Sequence, residues 1–248
     1  MKNSIIIKRV DNEELSHKTK RALIDIICQN TDSDAPFKLP NEDNLSQSLG
    51  VSRNVLRDAL MSLEEIGVVT RRRSIGTIAN PKIAREHGRL DINPELMRMI
   101  REDGYTVRVE TLRLGFVFEK EPALEGDNGC YLNVEKVFYA DDEVVAYCAD
   151  HIAGRYAEAA KDSILRLQDV SHYEFLEECC GTSMAYTMVS IDAVMPGREL
   201  RETMGLPEGV PTLKLDDLVY NLNHEIVVHS NIYFRSGALA LKFLRKNW

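Results

Sequence analysis

The first third of the chain carries apolar residues at the three- and four-residue spacing of amphipathic helices. This pattern predicts helices over about residues 14–29, 42–49 and 52–66. Asn41 precedes the second helix as an N-cap, and Gly50 ends it. A short helix, a turn containing glycine and a longer helix are the layout of a helix-turn-helix.

After the third helix the pattern changes to short runs rich in β-branched residues, which are typical of strands. Residues 68–72 and 76–79 predict the two strands of a hairpin, with a basic turn at residues 73–75. Residues 81–93 have no clear periodicity and contain Pro81 and Gly88, so we interpret them as a linker.

Several later stretches alternate between apolar and polar residues, as half-buried strands do. They predict strands at about 106–118, 130–139, 143–151, 182–194, 211–220 and 226–235, and helices at 94–102, 171–180 and 197–204. The turn before the last strand favours an antiparallel, meandering sheet. We therefore predict an α+β chain with an N-terminal winged helix-turn-helix domain at 1–80, the linker at 81–93 and a second domain at 94–248.

The distribution of charge is more informative than its total. The 248 residues carry a net charge of −8 at pH 7, so overall basicity does not indicate nucleic-acid binding. Residues 1–80 hold 12 Lys and Arg against 11 Asp and Glu, a net +1, which leaves 19 against 28, a net −9, for the rest. DNA would repel the acidic second part, and this would orient residues 1–80, here called the head, toward a duplex.

No stretch approaches the roughly 20 apolar residues of a membrane span, and the apolar run near the start is too short for a secretory signal. We therefore expect a cytoplasmic protein with no membrane partner. The five cysteines form no CxxC pair, so we expect reduced structural thiols, with neither a disulfide framework nor a zinc site.

The third predicted helix has two chemically distinct sides. Its apolar residues cluster on one side of a helical wheel, and Arg53, Asn54 and Arg57 fall on the other. No acidic residue occurs within 51–57 or 71–77, so we expect these arginines to be clear of carboxylates. Arginine pairs bidentately with guanine, and a basic hairpin suits the phosphate backbone or the minor groove. A merely solvated surface is the alternative.

Residues 38–79 resemble the winged helix-turn-helix of GntR-type bacterial transcription regulators. The matching positions are Leu39, Pro40, Glu42, Leu45, Leu49, Gly50, Val51, Ser52, Arg53, Leu56, Arg57, Ala59, Leu60, Leu63, Gly67, Gly76 and Thr77. The resemblance implies that Ser52, Arg53 and Arg57 contact the operator and that Arg73 and Ser74 enter the minor groove. The full set of candidate DNA-binding residues is Ser52, Arg53, Asn54, Arg57, Arg71, Arg72, Arg73, Ser74 and Gly76.

The head departs from the family pattern at three places. Members usually have Ser where Asn41 stands, and they often have Arg where Asp43 stands. Their wing commonly has an additional Gly near Ser74 or Ile75. An acidic residue at position 43 removes one expected contact to DNA.

The second domain shows no catalytic constellation. The histidines have no HExxH or HxH spacing, no serine sits in GxSxG, and Gly-rich phosphate loops are absent. The acidic pair Asp141-Asp142 is interpreted as a turn, and His151 and His229 as core or surface histidines that could line a pocket. We therefore predict neither an enzyme nor a site for a metal or cofactor.

Residues 104–235 are similar to the UTRA effector domain of the HutC-type branch of the GntR family, which resembles the chorismate-lyase fold. The similarity is carried by four segments in order, at residues 132–141, 169–176, 205–213 and 230–235. It implies an antiparallel sheet with a ligand cleft.

The resemblance also implies a set of effector-binding positions. Ser171 and Tyr173 match residues that contact the effector in members responding to sugar phosphates. Five other positions depart from those members, which have two Arg, two Glu and a Tyr where this chain has Lys136, Phe138, Cys148, Val228 and Phe234. Since Lys offers one point charge where Arg clamps a phosphate with two bonds, we expect a less charged, more apolar effector, such as a carboxylate or an acyl or aromatic metabolite.

The function predicted from the sequence is that of a homodimeric DNA-binding transcription regulator that binds a palindromic operator and responds to a small molecule. Since members of the family are usually repressors, we expect a repressor. Two alternatives stay open. One is a lyase-type enzyme that uses the C-terminal cleft, and the other is an interaction module with an empty second domain.

Overall fold

The computed structural model describes residues 12–29, 33–92, 95–124 and 129–246. The chain divides into two compact units, one of residues 1–92 with 242–248 and the other of residues 93–241. The first unit therefore takes in the predicted linker up to residue 92 together with the C-terminal residues, which we had assigned to the second domain. Residue 93 and the predicted helix start at Pro94 lie outside the described residues.

The first unit is a helical head with a small sheet. Its elements are α1 (Asn12–Gln29), β1 (Phe37–Lys38), α2 (Glu42–Leu49), α3 (Arg53–Glu65), β2 (Val69–Arg72), β3 (Gly76–Ala79) and α4 (Pro81–Ala84). β3 pairs antiparallel with both β1 and β2. One apolar core joins α1 and α3 to the sheet, and Leu23, Ile27, Leu56, Leu60 and Leu63 are fully buried in it. The helices and hairpin predicted from the sequence are confirmed within about two residues.

Two parts of this unit differ from the prediction. β1 has only two residues, too short for an alternation to be visible, and it was missed. The predicted linker instead contains α4, whose N-cap Asn80 accepts a hydrogen bond from the backbone N–H of Ile83. The backbone of Lys242 also pairs with this segment: its N–H donates to the Gly88 carbonyl, and its carbonyl accepts from the Leu90 N–H.

The second unit is built on one six-stranded antiparallel sheet. Its elements are α5 (Leu96–Glu102), β4 (Val107–Val117), β5 (Tyr131–Ala140), β6 (Glu143–Ala153), α6 (Gly154–Ala157), a 3₁₀ helix (Glu158–Gln168), α7 (His172–Cys179), β7 (Met184–Val194), α8 (Arg198–Met204), β8 (Thr212–Asn221) and β9 (Ile226–Phe234). The strand order is β4-β5-β6-β9-β8-β7. The predicted α+β class and antiparallel sheet are confirmed, and Asp141 lies in a turn as expected, with φ of 53°.

The core of this unit lies between one face of the sheet and the segment from α6 to α7. Leu132, Val134, Ile152 and Val228 of the sheet and Phe175 of α7 are fully buried there. Residues 154–168 were not predicted as helical, because a 3₁₀ segment lacks the 3.6-residue period that the sequence analysis relied on. The helices and the sheet together leave a cavity near the start of α7.

Candidate DNA-binding surface and effector cavity

The turn between α2 and α3 is set by local capping interactions. Asn41 accepts a hydrogen bond from the backbone N–H of Asn44 at 2.8 Å, and Gly50 ends α2 in the left-handed region at φ 66°. The Ser52 hydroxyl accepts a hydrogen bond from the N–H of Val55 at 3.3 Å and so begins α3. A capping hydroxyl keeps its own proton, so Ser52 remains able to donate to a phosphate.

The burial of one side of α3 fixes which side faces solvent. Leu56, Ala59, Leu60 and Leu63 have no exposed surface. Ser52, Arg53, Asn54 and Arg57 are all exposed. The two sides predicted from the helical wheel are therefore confirmed.

The arginines of α3 are not clear of carboxylates. Arg53 Nε lies 2.8 Å from Asp43 Oδ1, and Arg57 Nε lies 2.7 Å from Glu42 Oε2. The expectation from the sequence was wrong, because these acids lie on α2, outside the segment that was scanned. Both arginine side chains nevertheless remain more than half exposed, at 63% and 56%. Exposed ion pairs of this kind are weak and screened by salt, so a phosphate or base can replace the carboxylate.

The hairpin of β2 and β3 divides its basic residues into two groups. Arg71 lies half-buried against α3, where its backbone N–H and its Nε donate to the two carboxylate oxygens of Glu64 at 2.9 and 2.8 Å. Burial opposes ionisation of Glu64, but these hydrogen bonds lower its pKa below the ordinary value. Arg71 therefore anchors the hairpin to α3, and the structure does not bring it to the tip with the other candidates.

The tip itself is exposed and basic. Arg72, Arg73, Ser74 and Gly76 are all exposed, and among the described residues neither Arg72 nor Arg73 has an ion-pair partner. Ser74 has φ of 70°, which places a side chain where glycine is favoured. The family resemblance in the sequence places an additional glycine near this residue or Ile75.

The second unit contains a cavity between α5, the start of α7 and one face of the sheet. It is partly open: its space is about 510 Å³ when the solvent at its mouth is included, and about 60 Å³ of this admits the centre of a water molecule. Five of the seven predicted effector residues line it, namely Lys136, Phe138, Cys148, Ser171 and Tyr173. Six further residues complete the wall, namely Glu95, Leu96, Met97, Asp150, His172 and Ile232.

Val228 and Phe234, the other two predicted effector residues, do not line this cavity. Val228 is fully buried in the core beneath the helices, and Phe234 is 4% exposed. The register places Ile232, not either of these, opposite Cys148 on the neighbouring strand. Ile232 is therefore the residue through which β9 contributes to the wall.

A buried carboxylate organises the floor of the cavity. Asp150 Oδ2 lies 2.9 Å from His172 Nδ1, and Asp150 Oδ1 accepts hydrogen bonds from the Ser230 hydroxyl and, at 3.1 Å, from the Cys148 thiol. Burial alone would raise the pKa of Asp150, but His172 and the two hydrogen bonds outweigh it and hold the pKa well below the ordinary value. Asp150 is therefore ionised, and it orients His172.

His172 presents its other nitrogen as an unsatisfied group. Its Nε2 is buried and has no hydrogen-bond partner among the described residues. The His172 ring also packs on Tyr173 at 4.2 Å between centroids. Both Asp150 and His172 were missed by the sequence analysis, although the alternation of β6 places Asp150 on the same face as Cys148.

Lys136, Ser171 and Tyr173 contribute polar groups above this floor. Lys136 is buried, which lowers its pKa although Asp150 opposes the change, and its Nζ donates to the Val170 carbonyl at 2.8 Å. Burial raises the pKa of Tyr173 to about 12, so its hydroxyl stays protonated. The Ser171 hydroxyl caps α7 and also lies 3.2 Å from Glu95 Oε1.

A larger, more open groove lies on the opposite face of the sheet, and its space is about 1570 Å³ when the open solvent in it is included. Arg113, one of the cations in its wall, is already paired with Glu135 at 3.4 Å and Glu199 at 2.7 Å. None of the predicted effector residues lines this groove, so it is not the site that the sequence indicated.

Comparison with protein families assigns both parts of the chain. Residues 34–78 match the family of bacterial regulatory proteins named gntR, and residues 127–239 match the UTRA domain. The chain therefore combines a GntR-type head with a UTRA domain. It is a transcription regulator in which a GntR head precedes a UTRA domain, the HutC-type order of domains. GntR heads bind DNA and UTRA domains bind small-molecule effectors.

Individual relatives agree with this assignment. The HTH-type transcriptional regulator GgaR of Escherichia coli is 24% identical over 200 residues, which are 80% of this chain and 78% of that protein. The crystal structure of YydK from Bacillus subtilis superposes with a TM-score of 0.73 at 16% identity, covering 96% of this chain and all of that one. The crystal structure of PhnF from Mycobacterium smegmatis superposes with a TM-score of 0.57 at 18% identity, covering 91% of this chain and 98% of that one. In the described part of this chain, no helix is long and apolar enough to cross a membrane.

Proposed function

We propose that this GntR-family regulator is a homodimeric repressor that binds a palindromic operator and releases it when a small molecule occupies the cavity of the second unit. The observation that carries the proposal is the exposed basic side of α3 beside an exposed basic hairpin tip. Helix α3 and the hairpin pack on the same apolar core, which holds the two basic surfaces in a fixed geometry.

Ser52, Arg53, Asn54 and Arg57 are proposed to enter the major groove. The N-terminal residues of a recognition helix are those that reach base edges, and Arg is suited to guanine. On approach to DNA, Arg53 and Arg57 exchange Asp43 and Glu42 for bases or phosphates. The two acids then act as competitors that weaken binding to any duplex lacking the correct bases.

Arg72, Arg73, Ser74 and Gly76 are proposed to contact the minor groove or the phosphate backbone. Such contacts supply affinity that depends on salt more than on sequence. Arg71 is proposed to act indirectly, because its ion pair with Glu64 holds the hairpin against α3.

The effector is proposed to be a small molecule with at most one negative charge and an apolar body. Among the described residues of the cavity wall, Lys136 is the only Lys or Arg, and Asp150 and Glu95 in the same wall repel a phosphate dianion. The wall also offers apolar surface from Leu96, Met97, Phe138 and Ile232, which suits an acyl chain or an aromatic ring. Tight binding of a sugar phosphate in a calorimetric screen would contradict this part of the proposal.

The homodimer is proposed to form along β7, which lies at the edge of the six-stranded sheet. Tyr186, Met188, Val189 and Ile191 on this strand are exposed, and they include side chains on both faces. An edge strand with exposed apolar side chains invites pairing with another strand. A two-fold pair would place two heads on half-sites about one helical turn apart.

An enzymatic role for the cavity is the second candidate. The feature that favours it is the pair of Asp150 and His172, since a carboxylate that orients an imidazole is a common acid–base arrangement. The buried Cys148 thiol does not serve as a nucleophile there, because burial raises its pKa well above the ordinary value. Turnover of chorismate or a related acid by the full chain would decide for this candidate.

The experiment that tests the proposed function is genomic footprinting with the purified protein. Protected sites should be short palindromes, and adding the effector found by a thermal-shift screen should abolish protection. Protection without sequence preference would contradict operator recognition. A screen in which no metabolite raises the melting temperature would contradict the proposal that a small molecule binds in the cavity.

A further inference from the structure

Three side chains with metal-binding atoms meet on the face of the sheet opposite the effector cavity. His151 on β6 and His229 on β9 are directly paired in the register of the sheet. Glu121, from the connection between β4 and β5, bridges them. Its Oε2 lies 2.6 Å from His151 Nδ1, and its Oε1 lies 3.1 Å from His229 Nδ1. The three side chains are only 12–19% exposed.

The surroundings of His229 point to a cation. Its Nε2 lies 3.1 Å from Asp216 Oδ1, so carboxylates face both nitrogens of one imidazole ring. A neutral imidazole donates only one proton. If Asp216 accepts it, the Nδ1 lone pair faces the Glu121 carboxylate, and only a cation between the two atoms, either a second ring proton or a metal ion, makes this contact favourable.

The donor set and its support fit a transition metal. Two imidazole nitrogens and one carboxylate oxygen form the set found in open zinc sites, which leave a coordination position for water. The ligand atoms lie within 4.8 Å of one another, so side-chain adjustments bring them to a common ion at about 2.0–2.2 Å. Asp216 occupies the outer position, where a carboxylate fixes the tautomer of a ligating histidine. Lys214 in turn holds Asp216 through an ion pair, with 2.8 Å between Lys214 Nζ and Asp216 Oδ2.

We propose that Glu121, His151 and His229 bind a divalent transition metal ion of the zinc type, which ties the β4–β5 connection to the sheet. The site is separate from the effector cavity but lies directly behind it. His151 and His229 are each adjacent in sequence to a residue of the buried network under that cavity, Asp150 and Ser230. The sequence did not predict a metal site, because its ligands come from three distant segments.

The test uses untagged, metal-free full-length protein titrated with Zn²⁺, and with Co²⁺ as a spectroscopic probe. We expect one ion per chain with a dissociation constant in the micromolar range or below, visible absorption from the cobalt form, and a higher melting temperature with Zn²⁺. His229→Gln and Glu121→Gln should each weaken zinc binding at least tenfold.

Two controls separate this site from other histidines. His17→Gln removes an exposed histidine of α1, and His224→Gln removes an exposed histidine of the turn between β8 and β9, so both should bind zinc as the wild type does. Asp216→Asn keeps all three ligands and should weaken binding about 10- to 100-fold, as loss of an outer carboxylate does. This variant keeps the test decisive if a ligand variant fails to fold.

Two results would overturn the proposal. One is the absence of zinc uptake by the wild type at micromolar concentration, which would mean that only protons balance the cluster. The other is unchanged uptake in His229→Gln, Glu121→Gln and Asp216→Asn, which would place the ion elsewhere.

Discussion

His172 at the start of α7 lies 2.9 Å from the buried Asp150 on β6, measured from Nδ1 to Oδ2. This contact joins the helix that caps the proposed effector cavity to the central part of the sheet. A ligand that contacts His172 Nε2 therefore acts on a group whose position the sheet fixes. A displacement of α7 would have to break a buried hydrogen bond between charged or polar partners.

The first prediction concerns this contact. Asp150→Asn should destabilise the protein by about 3 kcal/mol, because removing one partner of a buried pair leaves the other without compensation. Chemical denaturation measures the loss. Asp142→Asn, at an exposed turn on the same sheet, is the matched control and should change little. Equal stability of the two variants would show that the pair contributes nothing.

The second prediction concerns pH. Burial, with the charges of Asp150 and Asp216, raises the pKa of Asp217 to about 6, although His172 and His229 oppose the change. The folded protein thus holds a proton that the unfolded chain has already lost, and this stabilisation is complete below about pH 4 and lost as the pH rises through about 6.

Asp217→Asn should remove that dependence. In thermal melts from pH 4 to 8, the difference in melting temperature between the variant and the wild type should shift in favour of the variant as the pH rises from about 4 to 6. Above about pH 6 this difference should stay constant. A constant difference across the whole range would contradict the raised pKa.

The third prediction concerns the tip of the hairpin. Ser74→Gly should stabilise the head by up to about 1 kcal/mol, since glycine adopts a φ of 70° without the strain of a side chain. Gly50→Ala introduces the opposite change at φ 66° and should destabilise it by about 1 kcal/mol. Urea denaturation followed by circular dichroism compares them. A loss of stability in both variants would show that the Ser74 conformation carries no strain.

The fourth prediction concerns the dimer. Met188→Lys and Ile191→Lys should each shift the protein toward monomer in analytical ultracentrifugation, because they place charge on the exposed edge strand. Leu165→Lys replaces an exposed leucine of the 3₁₀ helix and serves as the control. Dimers that resist both β7 substitutions would place the interface elsewhere.

Local signals in the sequence were sufficient for the two helices of the helix-turn-helix. Asn41, Gly50 and Ser52 act through neighbours within a few residues, so the boundaries of α2 and α3 follow from capping alone. The ion pairs of Arg53 and Arg57 were missed because their partners lie on another helix, and sequence spacing does not show which helices touch.

In the second unit the sequence identified the strands and five of the eleven described residues of the cavity wall. The alternation along β5 and β6 places Lys136, Phe138 and Cys148 on one face, and the structure confirms that they share it. Val228 has the correct face as well, but helices cover it, and this burial depends on the non-periodic segment at 158–168. The pairing of Asp150 with His172 requires the packing of α7 on the sheet, which no local pattern shows.

The central claim is that α3 and the hairpin tip bind DNA, and variants at Arg57, Arg73 and Glu42 test it most directly. At a palindrome found by footprinting, fluorescence anisotropy should show that Arg57→Ala loses about tenfold or more in affinity and relaxes base preference. Arg73→Ala should weaken all duplexes alike and lower the salt slope by about 1. Glu42→Gln should bind non-operator DNA more tightly than the wild type does. If Arg57→Ala and Arg73→Ala change affinity no more than the exposed control Lys161→Ala, the DNA-binding surface lies elsewhere.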